Sequence, residues 1–189
     1  MSATATVKEL LAAFQRMDPA AIVAVLDPGY LERWRRNQLF SVAVWCEDTS
    51  VSDAEDEWSI DQLDELLMRN ARCEIPLLAG TSLGEVAGWS AAELMRRLLE
   101  AAVARTPKRH LSAGTDEPTV IGEVAETATI SHVLCRTDSR DASSAIQVYT
   151  LRRDADAWKI LVLPNEAEFY APPEFPFGLR RDPPGSPAA

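Results

Sequence analysis

Apolar residues recur every three to four positions through the front of the chain and every second position through its last third. Val7, Leu10, Leu11 and Phe14 sit at helical spacing and predict an amphipathic helix over residues 5–17. Asp18-Pro19 reads as an N-cap followed by proline at the first helical position, opening a short helix over Ile22, Val23 and Leu26. Asp27-Pro28-Gly29 then reads as a turn that stops it. Tyr30 to Leu39 predicts a third helix, with Leu31, Trp34 and Gln38 inward and Arg33, Arg35 and Arg36 outward. Phe40 to Trp45 suits either a continuation of that helix or a strand, because Phe40, Val42 and Val44 alternate with smaller residues.

Further along, Ser59-Ile-Asp-Gln62 has the form of a capping box before a helix that buries Ile60, Leu63, Leu66 and Leu67 and ends near Arg72. Ser90-Ala-Ala-Glu93 is a second box. Behind it Leu94, Leu98 and Ala102, with Met95, Leu99 and Val103 on the next row, form a stripe wide enough to cover a sheet. Four β-like runs follow: Thr119 to Val124, Thr127 to Arg136, Ile146 to Arg153 and Trp158 to Leu163. Helices followed by an antiparallel meander give the fold class α+β, with N-terminal helices packed on the sheet. The expected organisation is one domain over residues 1–165 and a proline-rich C-terminal tail over 166–189. Half of the 12 prolines follow Ala171, and Phe169-Tyr170 and Phe175-Pro-Phe177 are expected to pack back on the body, with a partner-binding strip as their alternative use.

Composition narrows the function classes. The chain is 47% hydrophobic and 25% charged, the balance of an ordinary globular protein rather than a disordered or fibrous one. No apolar run approaches the roughly 18 residues of a membrane span, and no basic start precedes an apolar block at the N-terminus. A cytoplasmic chain without membrane association is therefore expected. The net charge of −10 opposes nucleic-acid binding and is compatible with a basic protein partner. The acidity concentrates between Cys46 and Glu57, where no basic residue interrupts Glu47, Asp48, Asp53, Glu55, Asp56 and Glu57. Like charges repel, so a solvated acidic loop is expected at about 46–58, with docking of a basic partner as its alternative use.

The three cysteines, Cys46, Cys73 and Cys135, are far apart, odd in number and form no Cys-x-x-Cys pair, so neither a disulfide framework nor a zinc site is expected. The two histidines, His110 and His132, are not at ligand spacing, and neither a metal nor a cofactor is called for.

The helical front half, the capped helix at Ser90 and a closing meander resemble the nuclear-transport-factor-2-like superfamily. The meander's segments are Gly122-Glu-Val, Ile130-Ser-His-Val-Leu-Cys-Arg136, Ile146-Gln-Val-Tyr-Thr-Leu-Arg-Arg153 and Trp158-Lys-Ile-Leu-Val162. The resemblance covers roughly residues 5–28 and 90–163. It implies a strongly curved, cone-like sheet wrapped around helices, in members that range from isomerases, dehydratases and cyclases to inert binding modules. Cone enzymes present a His, Asp or Tyr into a pocket, which here selects His132 and Tyr149 as strand candidates, with Trp34 as a further ligand-binding candidate. No residue is assigned as catalytic, because no carboxylate stands beside His132 at strand spacing. The leading expectation is a non-catalytic cone-fold protein that binds a small apolar ligand or forms a homodimer through its sheet. The alternatives are a cofactor-free lyase or isomerase using a pocket His or Tyr, and an acidic protein-interaction module.

Overall fold

A computed structural model describes residues 1–50, 58–105, 118–138 and 144–163. The helices are α1 (Ala3–Arg16), α2 (Pro19–Ala24), α3 (Pro28–Ser50), α4 (Leu63–Arg69), α5 (Leu83–Ala87) and α6 (Ala91–Arg105). Short 3-10 turns occupy Ile60–Gln62 and Pro76–Leu78, and the strands are β1 (Thr119–Ala125), β2 (Ile130–Asp138), β3 (Ser144–Asp154) and β4 (Ala157–Val162). The class is α+β. The chain divides into two units: Met1–Arg35 with Ser90–Glu166, and a second whose described part is Arg36–Trp89. The proline-rich tail expected over 166–189 lies outside the described residues.

In the first unit each helix begins where a side-chain oxygen meets its orphan N–H groups. Ser2 Oγ accepts from Ala5 N at 3.1 Å to open α1, and Asp18 Oδ1 accepts from Ala21 N at 3.0 Å to open α2. Helix α1 closes on Met17 in the left-handed region (φ 52), whose N–H meets the Ala13 and Phe14 carbonyls. The Asp27-Pro28-Gly29 signal does more than stop α2. Asp27 Oδ1 accepts from Gly29 N at 2.9 Å and Tyr30 N at 3.1 Å, so the same residues that end one helix start α3, with Pro28 at its first position.

The sheet is a four-stranded antiparallel meander in the order β1-β2-β3-β4. Its β4 edge is covered by the α2–α3 connection. Leu26 pairs in parallel with Ile160, through Ile160 N to Val25 O and Asp27 N to Ile160 O, both at 2.9 Å. Register shifts between Val120 and Gly122 in β1 and opposite Thr150/Leu151 in β4 insert one residue each, which bends and twists a ladder locally. Ser131, Val133, Cys135, Tyr149, Leu151 and Ile160 form the buried face. The helix that packs against β1, β2 and β4 is α1, whereas α6 packs chiefly on α2. The α6 stripe of Leu94, Met95 and Leu98 is buried as its spacing predicts, yet it is not the sheet's main cover. Helix α1 takes that place, with its first turn fastened to β1 where Thr4 N and Oγ1 donate to Glu123 Oε2 at 3.1 and 2.6 Å.

In the second unit Phe40 to Trp45 is helical. Leu39, Val42, Ala43 and Cys46 are all buried at three-to-four spacing, and that stripe overrides the weaker alternation of Phe40, Val42 and Val44. The helix continues to Ser50, so Cys46 and Glu47 lie in its last turns rather than in a solvated loop; residues 51–57 lie outside the described residues. Both are buried. The expectation of no disulfide is corrected here: Cys46 is bonded to Cys73, 27 positions away. Sequence spacing hid the pair because α3 and the segment after α4 meet only in three dimensions. The Ser59/Gln62 capping box is present, and a Ser82/Glu85 box that the pattern reading overlooked opens α5.

Candidate functional site

The three candidate residues do not share one site. In the β2–β3 register His132 faces Thr150 and Val133 faces Tyr149, so His132 and Tyr149 project from opposite sides of the sheet. Tyr149 is buried on the helix-covered side. Its hydroxyl donates to Gln147 Oε1 at 3.4 Å, and burial, aided by the nearby Cys135, pushes its phenol up to about 12. Burial likewise pushes the Cys135 thiol up, which keeps it protonated and unreactive. Trp34 is buried on α3 within the first unit, and its Nε1–H has no hydrogen-bond partner among the described residues. Tyr149 and Trp34 thus both sit in core surroundings.

His132 lies on the other side, in a polar cluster that sequence reasoning missed. Its Nε2 is 2.8 Å from Glu126 Oε2 and its Nδ1 is 3.1 Å from Thr150 Oγ1. An ionised carboxylate only accepts, so Nε2–H donates to Glu126, while the hydroxyl of Thr150, which can donate or accept, meets Nδ1. The carboxylate comes from the β1–β2 turn. Gly122, Val124 and Glu126 continue one alternation, and the pairing of Val124 with His132 places Glu126 on the histidine's face just past the end of β1. The alternation is visible in the sequence, but the register that aligns it with His132 is not. The turn itself is held by Thr127 Oγ1, which accepts from Thr129 N at 3.2 Å and Ile130 N at 2.9 Å.

Around this cluster the side of the sheet that no described helix covers also carries exposed aliphatic side chains. Val124 is 57% exposed, Ile146 62%, Val148 47% and Val162 43%, all on the face that carries His132 by strand alternation and register. Arg136 opposite Ile146, and Arg152 opposite Lys159, frame it. Arg152 Nη2 also meets Asp27 Oδ2 at 2.6 Å, tying β3 to the start of α3 across the β4 edge.

Among the described residues no group of three His, Cys, Asp or Glu side chains is placed to hold a metal ion. No helix among them is long and apolar enough to cross a membrane. No protein-family model matches the chain, and neither the curated proteins nor the solved structures give a significant match to it.

Proposed function

We propose that this is a non-catalytic protein of the nuclear-transport-factor-2-like kind that forms a homodimer by laying the uncovered face of its sheet on the same face of a second copy. The observation that carries the reading is the run of exposed aliphatic side chains Val124, Ile146, Val148 and Val162 on one side of an open sheet. An ordinary sheet with one solvated face alternates apolar-in and polar-out, and here four outer positions, Val124, Ile146, Val148 and Val162, are β-branched hydrophobes standing among polar ones. Exposed aliphatic side chains gathered on one sheet face mark an interaction surface, although His132 and Thr150 lie between Val124 and Val162 in the cross-strand row. A second sheet is the natural occupant, because aligned sheets interdigitate at about 10 Å and a two-fold pairing lets one patch serve both subunits. The competing use, a small apolar ligand held inside the fold, rests on Trp34 and Tyr149, both of them core residues.

Native mass spectrometry and sedimentation of the purified protein test this. The dimer is the expected species at tens of micromolar, and Val148→Lys, which places a charge in the centre of the face, is expected to yield a folded monomer. A wild-type monomer at that concentration overturns the reading, and a co-purified apolar ligand on a monomer supports the competing one.

A second reading is favoured by one specific observation, the Glu126–His132–Thr150 chain of hydrogen bonds. A carboxylate that orients an imidazole is part of the arrangement of a general base, which contributes about 10²–10⁴-fold to a rate once its other nitrogen, here met by the Thr150 hydroxyl, exchanges that partner for a substrate proton. The reaction class is proton abstraction next to a carbonyl, without a cofactor. Turnover of enolisable ketones or β-hydroxy carbonyl compounds that falls at least about 10²-fold in His132→Gln, with the fold intact, establishes it. Equal rates in the two proteins remove it.

A further inference from the structure

We infer that the Cys46–Cys73 disulfide is a redox latch on the second unit: closed, it holds the last turns of α3 on the α4–α5 segment, and reduction releases them. The two sulfurs differ in access. Cys46 is buried, 3% exposed, whereas Cys73 is half-buried in the connection after α4. A nucleophilic thiol therefore reaches the bond from the Cys73 side.

On the far side of the bond, Cys73 belongs to a hydrogen-bonded platform. Cys73 N donates to Asn70 O at 2.9 Å, Leu83 N to Cys73 O at 2.8 Å, Gly84 N to Ala71 O at 2.9 Å and Ile75 N to Thr81 O at 3.0 Å, around the Glu74–Ser82 bridge. On the near side, Cys46 precedes Glu47, whose carboxylate is held by Arg69 and by Asn70 Nδ2 at 2.8 Å. Arg69 in turn lies over the Trp58 ring, 5.3 Å from its centroid. The covalent link and the Glu47 contacts thus join the same two elements within one turn of helix. Cross-linking a loop restricts its freedom, and opening the link returns that freedom to the segment.

The step balances with a dithiol reductant. Its thiolate attacks Cys73 Sγ, the Cys46–Cys73 bond breaks, and Cys46 leaves as a thiolate that takes a proton from water. The second thiol of the reductant then displaces Cys73 from the mixed disulfide. Two electrons and two protons enter the protein, and the dithiol leaves as its own disulfide. Cys135, buried in the other unit, takes no part.

The test is hydrogen exchange read by mass spectrometry on the full chain, air-oxidised and then treated with a dithiol under native conditions. Peptide mapping of the oxidised protein is expected to recover Cys46 and Cys73 as a linked pair. On reduction, amides of residues 63–86 are expected to exchange at least about tenfold faster, while β2 and β3 keep their rates and reoxidation restores the original pattern. The double variant Cys46→Ser/Cys73→Ser is expected to show the fast pattern in both conditions. The latch is overturned by an unlinked pair in oxidised protein, by a bond that resists the dithiol while the chain stays folded, or by equal exchange in the two redox states. A redox response that persists in the double variant overturns it as well.

Discussion

Asp27 shows how much one buried carboxylate does here. It is 1% exposed, ends the path of α2, accepts the first N–H groups of α3 and receives Arg152 from β3. Replacing it with alanine removes a cap and leaves two backbone donors facing an apolar side chain. Asp27→Ala is expected to lower stability by about 2 kcal/mol, the upper part of the range for a lost N-cap, read from urea unfolding. A loss under about 0.5 kcal/mol, the scale of an ordinary surface change, refutes the role. The partner Arg152 is half exposed, so it returns to water at little cost and is not the source of the effect. At this scale the sequence was partly legible. Asp-Pro-Gly is a recognisable break, but its second duty as the cap of the following helix depends on a helix beginning at once, which the turn signal does not disclose.

Among the elements, the contact between α1 and β1 has a titratable fastener. Hydrogen bonds from the Thr4 hydroxyl first, and then from the Thr4 backbone and Ser131, hold the Glu123 carboxyl below its ordinary value of 4.5 against a smaller opposing effect of burial. A carboxyl lowered in the folded state stabilises the fold above its unfolded value and loses that contribution as pH falls through the folded one. Acidification from just above 4.5 downward is therefore expected to weaken the wild type more than Glu123→Gln, compared as thermal midpoints along a pH series. Parallel curves for the two proteins exclude Glu123 from the linkage. Element boundaries followed from pattern where one period dominated, as in α1 and β3. They failed where two periods overlapped: Phe40 to Trp45 alternates like a strand, and only burial of Leu39, Val42, Ala43 and Cys46 together resolves it as helix. The acidic composition after Cys46 misled for a related reason. Glu47 is charged, yet Arg69 and Asn70 supply the partners that make its burial tolerable.

For the whole molecule, a net charge of −10 bears on association. Two copies carry the same excess, and their mutual repulsion opposes any face-to-face dimer until salt screens it, over about 10 Å at 0.1 M. Raising sodium chloride from about 0.05 to 0.5 M is expected to tighten the proposed dimer, seen as a lower dissociation constant by sedimentation. Weakening with salt points instead to ion pairs across the contact and away from the aliphatic face.

The sequence by itself determined many local choices: the caps at Asp18, Ser59 and Ser90, the stripes that α1 and α6 bury, and that four β-branched runs form a meander. These rest on interactions among residues a few positions apart, and period and capping chemistry report them directly. Only the tertiary structure decided the pairings across the chain. The β1–β2 and β2–β3 registers put His132 beside Glu126 and Thr150 and opposite in facing to Tyr149, α1 rather than α6 became the sheet's principal cover, and Cys46 met Cys73. A slip of one residue in a strand reverses every side chain on it, and a disulfide needs two distant backbones within reach of each other. Such choices are settled by how whole faces pack, for which no short stretch of sequence carries the information.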